Sequence, residues 1–261
     1  MNQKNGISGT CVSYVDHNAG TIDRWIEEGW EWGRPISHEE FEEARNGRFS
    51  MLLTPTKPVP ASWYLPFEGC RVLGLASGGG QQMPIFTALG ACCTVLDYSP
   101  RQLRSEEEVA RREGYSIKTV RASMTDPLPF ADASFDLIFH PVSNCYIEEV
   151  EPVWRECFRV LRPGGRLLAG MDNGINYIVD ASGQHIVRGL PYNPLKGQPQ
   201  LTPEELEEEG CQFSHTLEEQ LGGQLKAGFR LLDLYEDTNG YGFLHQQNIP
   251  TFWASLAEKP L

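Results

Sequence analysis

The residues best placed to do chemistry begin with the turn Gly74-Leu75-Ala76-Ser77-Gly78-Gly79-Gly80-Gln81-Gln82, at the end of an apolar run from Arg71 to Ala76. Three consecutive glycines allow positive φ angles and leave bare backbone against which a ligand can lie. The second signal is Asp97, which closes the run Thr94-Val95-Leu96 and stands 17 positions beyond Gly80. An ionised carboxylate only accepts hydrogen bonds, so it suits the paired hydroxyls of a ribose, at an offset close to the ~20 residues of nucleotide-binding units. Asp97 also reads as an N-cap for a helix opening at Pro100, although Ser99 fills that role better. Both signals suit a dinucleotide and S-adenosylmethionine alike.

Such residues need a strand–turn–helix frame, and the pattern supplies it. Strands are expected over Arg71–Ala76, Ala91–Leu96, Ser116–Ala122, Phe135–Phe139 and Arg166–Met171. Helices are expected over about Met83–Leu89, Pro100–Arg112 and Val153–Leu161, the last stopped by Pro163-Gly164-Gly165. This alternation implies an α/β fold, a mostly parallel sheet with helices on both faces. Two further strands are read over Phe229–Leu234 and Thr251–Ala257. Before the frame, Ile22 to Ile26 starts a helix, Ser37 caps another, and the prolines at 55, 58 and 60 mark a boundary. The division is an N-terminal helical and aromatic segment, 1–62, and a domain over 63–261 whose 173–227 stretch is an insertion.

Composition narrows the partners. With 35 acidic against 22 basic residues and a formal charge of -13, the chain disfavours a phosphate backbone as substrate. Glu204, Glu205, Glu207, Glu208 and Glu209 read as a solvated helix face. The 7 cysteines contain no CxxC pair, which suits reduced thiols rather than disulfides or a zinc site; no metal is expected. The N-terminal residues carry no apolar signal core, and no run approaches the ~20 apolar residues of a membrane span, so a cytoplasmic location is expected.

Three later segments add to the glycine turn: Met124-Thr125-Asp126-Pro127-Leu128-Pro129-Phe130, Ser134-Phe135-Asp136-Leu137-Ile138-Phe139-His140, and Phe158-Arg159-Val160-Leu161-Arg162-Pro163-Gly164-Gly165-Arg166-Leu167-Leu168. In order and spacing, residues 70–172 resemble the class I S-adenosylmethionine-dependent methyltransferases. The resemblance implies a Rossmann-like seven-stranded sheet whose last strand is antiparallel, with S-adenosylmethionine across the C-terminal ends of the first strands. It implies that Asp97 holds the ribose, Tyr98 flanks the adenine, and Met124 and Thr125 lie at its edge. Ala76, Ser77 and Gly78 approach the methionine portion. Gly80, Gln82, Ser99, Gln102, Ser123, His140 and Ser143 complete the expected cofactor contacts, while Arg162 to Gly165 form a structural turn.

Three positions depart from the family pattern. Gly74 replaces a common acidic residue, Ala76 the first glycine, and Ser123 an aspartate; backbone carbonyls around Leu75 and His140 are the expected substitutes. Methyl transfer from a sulfonium depends mainly on positioning and desolvation. His140, after the fourth strand, is the candidate general base; its competing reading is a backbone-bonded histidine beside the cofactor. In this family the leader and the segment after strand five commonly cap the pocket. Tyr14, His17, Trp25, Trp30, Trp32, Trp63, Tyr177, Tyr192, His215 and His245 are candidates there, with Trp63 best placed to touch ligand. The reading is methyl transfer to a small-molecule acceptor, against two rivals: a non-catalytic member of the fold and an NAD-dependent oxidoreductase.

Overall fold

A computed structural model describes residues 13–196 and 202–261. Strands β1 (Arg71–Leu75), β2 (Cys92–Asp97), β3 (Lys118–Arg121), β4 (Phe135–His140), β5 (Leu161–Asp172), β6 (Arg230–Asp237) and β7 (Phe252–Glu258) form one sheet in the order β3-β2-β1-β4-β5-β7-β6. β1 to β5 pair in parallel, while β7 runs antiparallel to both β5 and β6. The central strands are apolar throughout because both faces are covered. Val72, Phe86, Phe139 and Leu168 pack on one face; Leu73, Leu75, Trp154 and Leu167 pack on the other. Arg162 to Gly165 bulge out between the Phe135↔Leu161 and Leu137↔Arg166 pairs, and Arg162 and Arg71 both bind Asp136 there.

The helices are α1 (Tyr14–Glu27), α2 (His38–Arg45), α3 (Gln82–Ala88), α4 (Pro100–Glu113), α5 (Glu151–Val160), α6 (Ile175–Ile178), α7 (Pro203–Glu209), α8 (Gly223–Ala227) and α9 (Gly242–Gln246). Helix α2 starts in the capping box expected from Ser37, closed by Glu40. Helix α4 opens with Ser99 as N-cap and ends at Gly114 in the left-handed region. The leader helix begins earlier than its sequence suggests, at Tyr14 instead of Ile22. Ser13 caps it, and Asn18 is held by the backbone of Tyr146 and Cys211, which outweighs the poor helix propensity of Gly20. Phe41, Met51, Leu53 and Val59 of the leader join the same core as Val72 and Phe139.

The leader also crosses the C-terminal end of the sheet. The Leu53 carbonyl accepts from Val142 N–H, and a Cβ at Gly170 of β5 would collide with that carbonyl. Small residues there let two backbones touch. From the other side of β5 come α6, α7 and a π-helical turn, Glu218–Gly222, running into α8. The glutamates of α7 are exposed, as a solvated face requires. The described cysteines are all free; Cys11 lies outside the described residues. Among the described residues no helix is long and apolar enough to cross a membrane.

Candidate functional site

In an open parallel sheet the ligand crevice lies beyond the strand ends where the strand order reverses. Here that point falls between β1 and β4, and a cavity of about 660 Å³ opens there. Its volume lies within the ~300–1,000 Å³ of small-ligand sites. The wall carries Ala76, Ser77, Gly78, Gln82, Asp97, Tyr98, Ser99, Gln102, Ser123, Met124 and Ser143, which the sequence had assigned to the cofactor. Gly80, Thr125 and His140, also expected to contact the cofactor, are not among the wall residues.

The glycine turn is shaped by close approach. A Cβ on Gly78 would lie 2.6 Å from Gln102 Cβ and 3.0 Å from Asp97 Oδ2. Gly79 and Gly80 take φ of 101° and 73°, and Ala76, where the family has glycine, takes φ 46°. The carboxyl expected at position 74 is replaced by packing: a Cβ on Gly74 would lie 2.9 Å from Met83 Sδ, so the Met83 thioether fills that space. Asp97 accepts from Gly78 N–H at 3.1 Å through Oδ2 and from Ser99 N–H at 2.9 Å through Oδ1. Each oxygen keeps a further lone pair, so the cradle fits a diol. Desolvation pushes Asp97 up to about 6 against the pull of those amides.

The leader closes this end. Tyr98 donates to Asp16 and Ser99 to Asp23, each at 2.5 Å, docking α1 over the end of β2. Gln81 donates to the carbonyls of Glu31 and Arg34, and Ile36 N–H to the Gly80 carbonyl. Trp25, Trp30 and Trp32 join the cavity wall. Trp63, expected to touch ligand, does not. It is 1% exposed, donates to Asp233 at 2.8 Å and packs on Tyr235, because its segment crosses the sheet face rather than the strand ends.

His140 is wholly buried beneath the cavity. Nδ1 lies 2.8 Å from the Leu75 carbonyl and Nε2 2.8 Å from the Asn144 side-chain amide. Burial lowers its pKa, so the ring is neutral, with one donor and one acceptor. The Leu75 carbonyl can only accept, which assigns the proton to Nδ1 and makes Nε2 the acceptor. Both the Asn144 and Gln220 amides then turn over, giving the otherwise unpartnered Gln220 nitrogen an acceptor 3.0 Å away. Neither ring nitrogen keeps a lone pair free for an incoming proton.

A carboxyl that sequence reading missed, Asp172, ends β5 and is 2% exposed. Oδ1 accepts from Gly174 N–H at 3.0 Å and Oδ2 has no partner. Burial pushes it up to about 7, and its charge reaches Cys145, Tyr146 and Tyr177, all wall residues. No local pattern marks it, since it follows an ordinary apolar strand. Asn176, Gln212, Val142 and Phe252 complete this end. No lysine, arginine or histidine lines the cavity among the described residues.

The strand order and the cradle at its reversal define a Rossmann-like methyltransferase architecture. Residues 73–169 match the family model described as "Methyltransferase domain". The chain is 39% identical over 252 residues to the uncharacterized methyltransferase YbaJ of Bacillus subtilis, covering 94% of this chain and 98% of that protein. It is 28% identical to a ubiquinone biosynthesis O-methyltransferase of Agrobacterium fabrum, over 77% of this chain and 82% of that one. In fold it matches an S-adenosylmethionine-dependent methyltransferase from Mesorhizobium loti with a TM-score of 0.60 at 18% identity, covering 76% of this chain and 94% of that one. The chain belongs to the methyltransferase family.

Proposed function

We propose that the cavity binds S-adenosylmethionine and that the protein transfers its methyl group to a small, uncharged acceptor. The observation that carries this is Asp97, oriented by two backbone amides at the switch point and facing a turn on which a Cβ at Gly78 has no room. The cofactor supplies a methyl already activated on a sulfonium, so the protein's part is to bind, orient and keep water out. Asp97 takes the ribose hydroxyls, Met124 packs at the base, and the turn from Ala76 to Gly78 lies along the methionine portion. The neutral His140 is a positioning residue that fixes the Leu75 carbonyl just ahead of the turn. Trp25, Trp30 and Trp32 close the cavity over it.

The acceptor enters beside Tyr146, Tyr177, Asn176 and Gln212. An anionic acceptor would lose its hydration and meet no cationic side chain, since the charged wall residues are Glu28 and Asp97. A cavity roofed by the leader and the 173–227 segment favours a small molecule over a polymer, and the O-methyltransferase relatives support the same reading. Asp172 is buried behind this end rather than on the wall, with an unpartnered oxygen, and acts on the acceptor only through the wall residues it faces. The free cysteines fit a reducing compartment, so we place the protein in the cytoplasm. Activity is tested by incubating the protein with methyl-labelled S-adenosylmethionine and neutral phenols, alcohols and arylamines beside their carboxylated counterparts. Label in the neutral set supports the reading, and label confined to the carboxylates overturns it.

A further inference from the structure

Glu106 sits on the inner face of α4 and is 0% exposed. Its Oε1 accepts from Gly80 N–H at 2.8 Å, while Oε2 has no partner. One helical turn earlier Gln102 also has an unpartnered side-chain oxygen, which would lie 2.7 Å from a Cβ on Gly79. Asp97, at the end of β2, takes the Gly78 N–H. Two carboxyl groups, one from β2 and one from α4, therefore grip the same three-glycine turn.

A buried carboxylate is tolerated when a cation or several donors compensate it. Glu106 has a single amide. The titratable groups that face it are Asp97 and Cys93 of β2 and Tyr115 beyond α4; burial keeps the last two neutral, and the charge of Asp97 opposes a second negative charge. As the neutral acid, Glu106 keeps its acceptor for Gly80 and gains a donor, and the unpartnered Gln102 oxygen one turn away lacks one.

We propose that Glu106 is a positioning residue of the methyl-donor site: as the neutral acid it pins the Gly80 end of the turn, while Asp97, ionised, holds the ribose. The proposal rests on the S-adenosylmethionine reading of the cavity. Like groups with opposite proton states are a recurrent device for dividing two tasks between two carboxyls. Burial, with the charge of Asp97 adding to it, pushes Glu106 up to about 8, whereas Asp97 is pushed only to about 6. Donor affinity is therefore highest between these titrations and falls on the alkaline side.

The test is calorimetric titration with S-adenosylhomocysteine from about pH 6 to about pH 9.5, on wild type and Glu106→Gln. Wild-type affinity should fall above about pH 8, approaching tenfold per pH unit. Glutamine keeps the acceptor for Gly80 but does not ionise, so the variant should hold its neutral-pH affinity and lose that fall; the ligand's own amine titrates equally in both. A parallel fall in both proteins, or none in wild type, overturns the proposal. A second measurement needs no variant. Above about pH 8, wild type should take up close to one proton on binding 5′-methylthioadenosine, read by titration in two buffers of different ionisation enthalpy, and no uptake overturns it. Absence of S-adenosylhomocysteine binding at every pH would instead remove the methyl-donor reading beneath it.

Discussion

Asp97 and Glu106 both hold one glycine turn, and burial raises both, Glu106 further than Asp97. Asp97→Ala removes the acceptor proposed for the ribose hydroxyls and should weaken S-adenosylhomocysteine binding by about 1.5–3 kcal/mol. Calorimetry on the folded variant checks this, and unchanged affinity would remove the ribose role. Gly78→Ala should cost roughly tenfold or more in the same assay, since the new methyl meets Gln102 Cβ at 2.6 Å. His140→Ala leaves the Leu75 carbonyl buried and unpaired, and should lower unfolding stability by about 1–3 kcal/mol in urea. A wild-type urea midpoint would contradict its place in the network. Asp97 and the glycine turn were legible because their spacing along the chain is itself the signal. The partners of His140 were not, because Leu75 is 65 positions away and Gln220 meets Asn144 from 76 positions away. Asp172 was illegible for a related reason: its unpaired oxygen exists only once the strand is buried.

At the scale of elements, the strands of the nucleotide unit could be read because each is an apolar run ended by a turn residue. β2 and β4 lie within a residue or two of their expected limits, and β7 runs antiparallel as the family pattern implies. The leader was read less well. Helix α1 gains its first turns from Asn18 bonding to the backbone of Cys211, an interaction invisible to periodicity. The β1–α3 turn holds a measurable strain, since Ala76 sits at φ 46°. Ala76→Gly should relieve it and stabilise the fold by about 1 kcal/mol, net of the extra freedom of the unfolded chain. Chemical denaturation checks this; a destabilised variant would mean that the Ala76 methyl packs more favourably than its backbone is strained.

Across the whole molecule, buried acids make stability depend on pH. Asp97, Glu106 and Asp172 are raised to about 6, 8 and 7, so the folded state holds their protons more tightly than the unfolded chain does. Their contribution is complete below the unfolded carboxylate range and is lost as pH rises through those values. Asp136 acts oppositely: despite its partial burial, Arg71 and Arg162 hold it well below the usual range, so its contribution is lost only in strong acid. Unfolding free energy should therefore decline by on the order of 2–4 kcal/mol between about pH 6 and about pH 9. Glu106→Gln should flatten part of that slope; an unchanged slope would mean that Glu106 does not titrate there.

The cavity at the β1/β4 switch point is proposed to hold S-adenosylmethionine. The most direct test is calorimetric titration of the wild-type protein near pH 7 with S-adenosylmethionine, S-adenosylhomocysteine and NAD. The account predicts micromolar or tighter binding of the first two and none of NAD. Binding of NAD alone, or of none of the three, would contradict it.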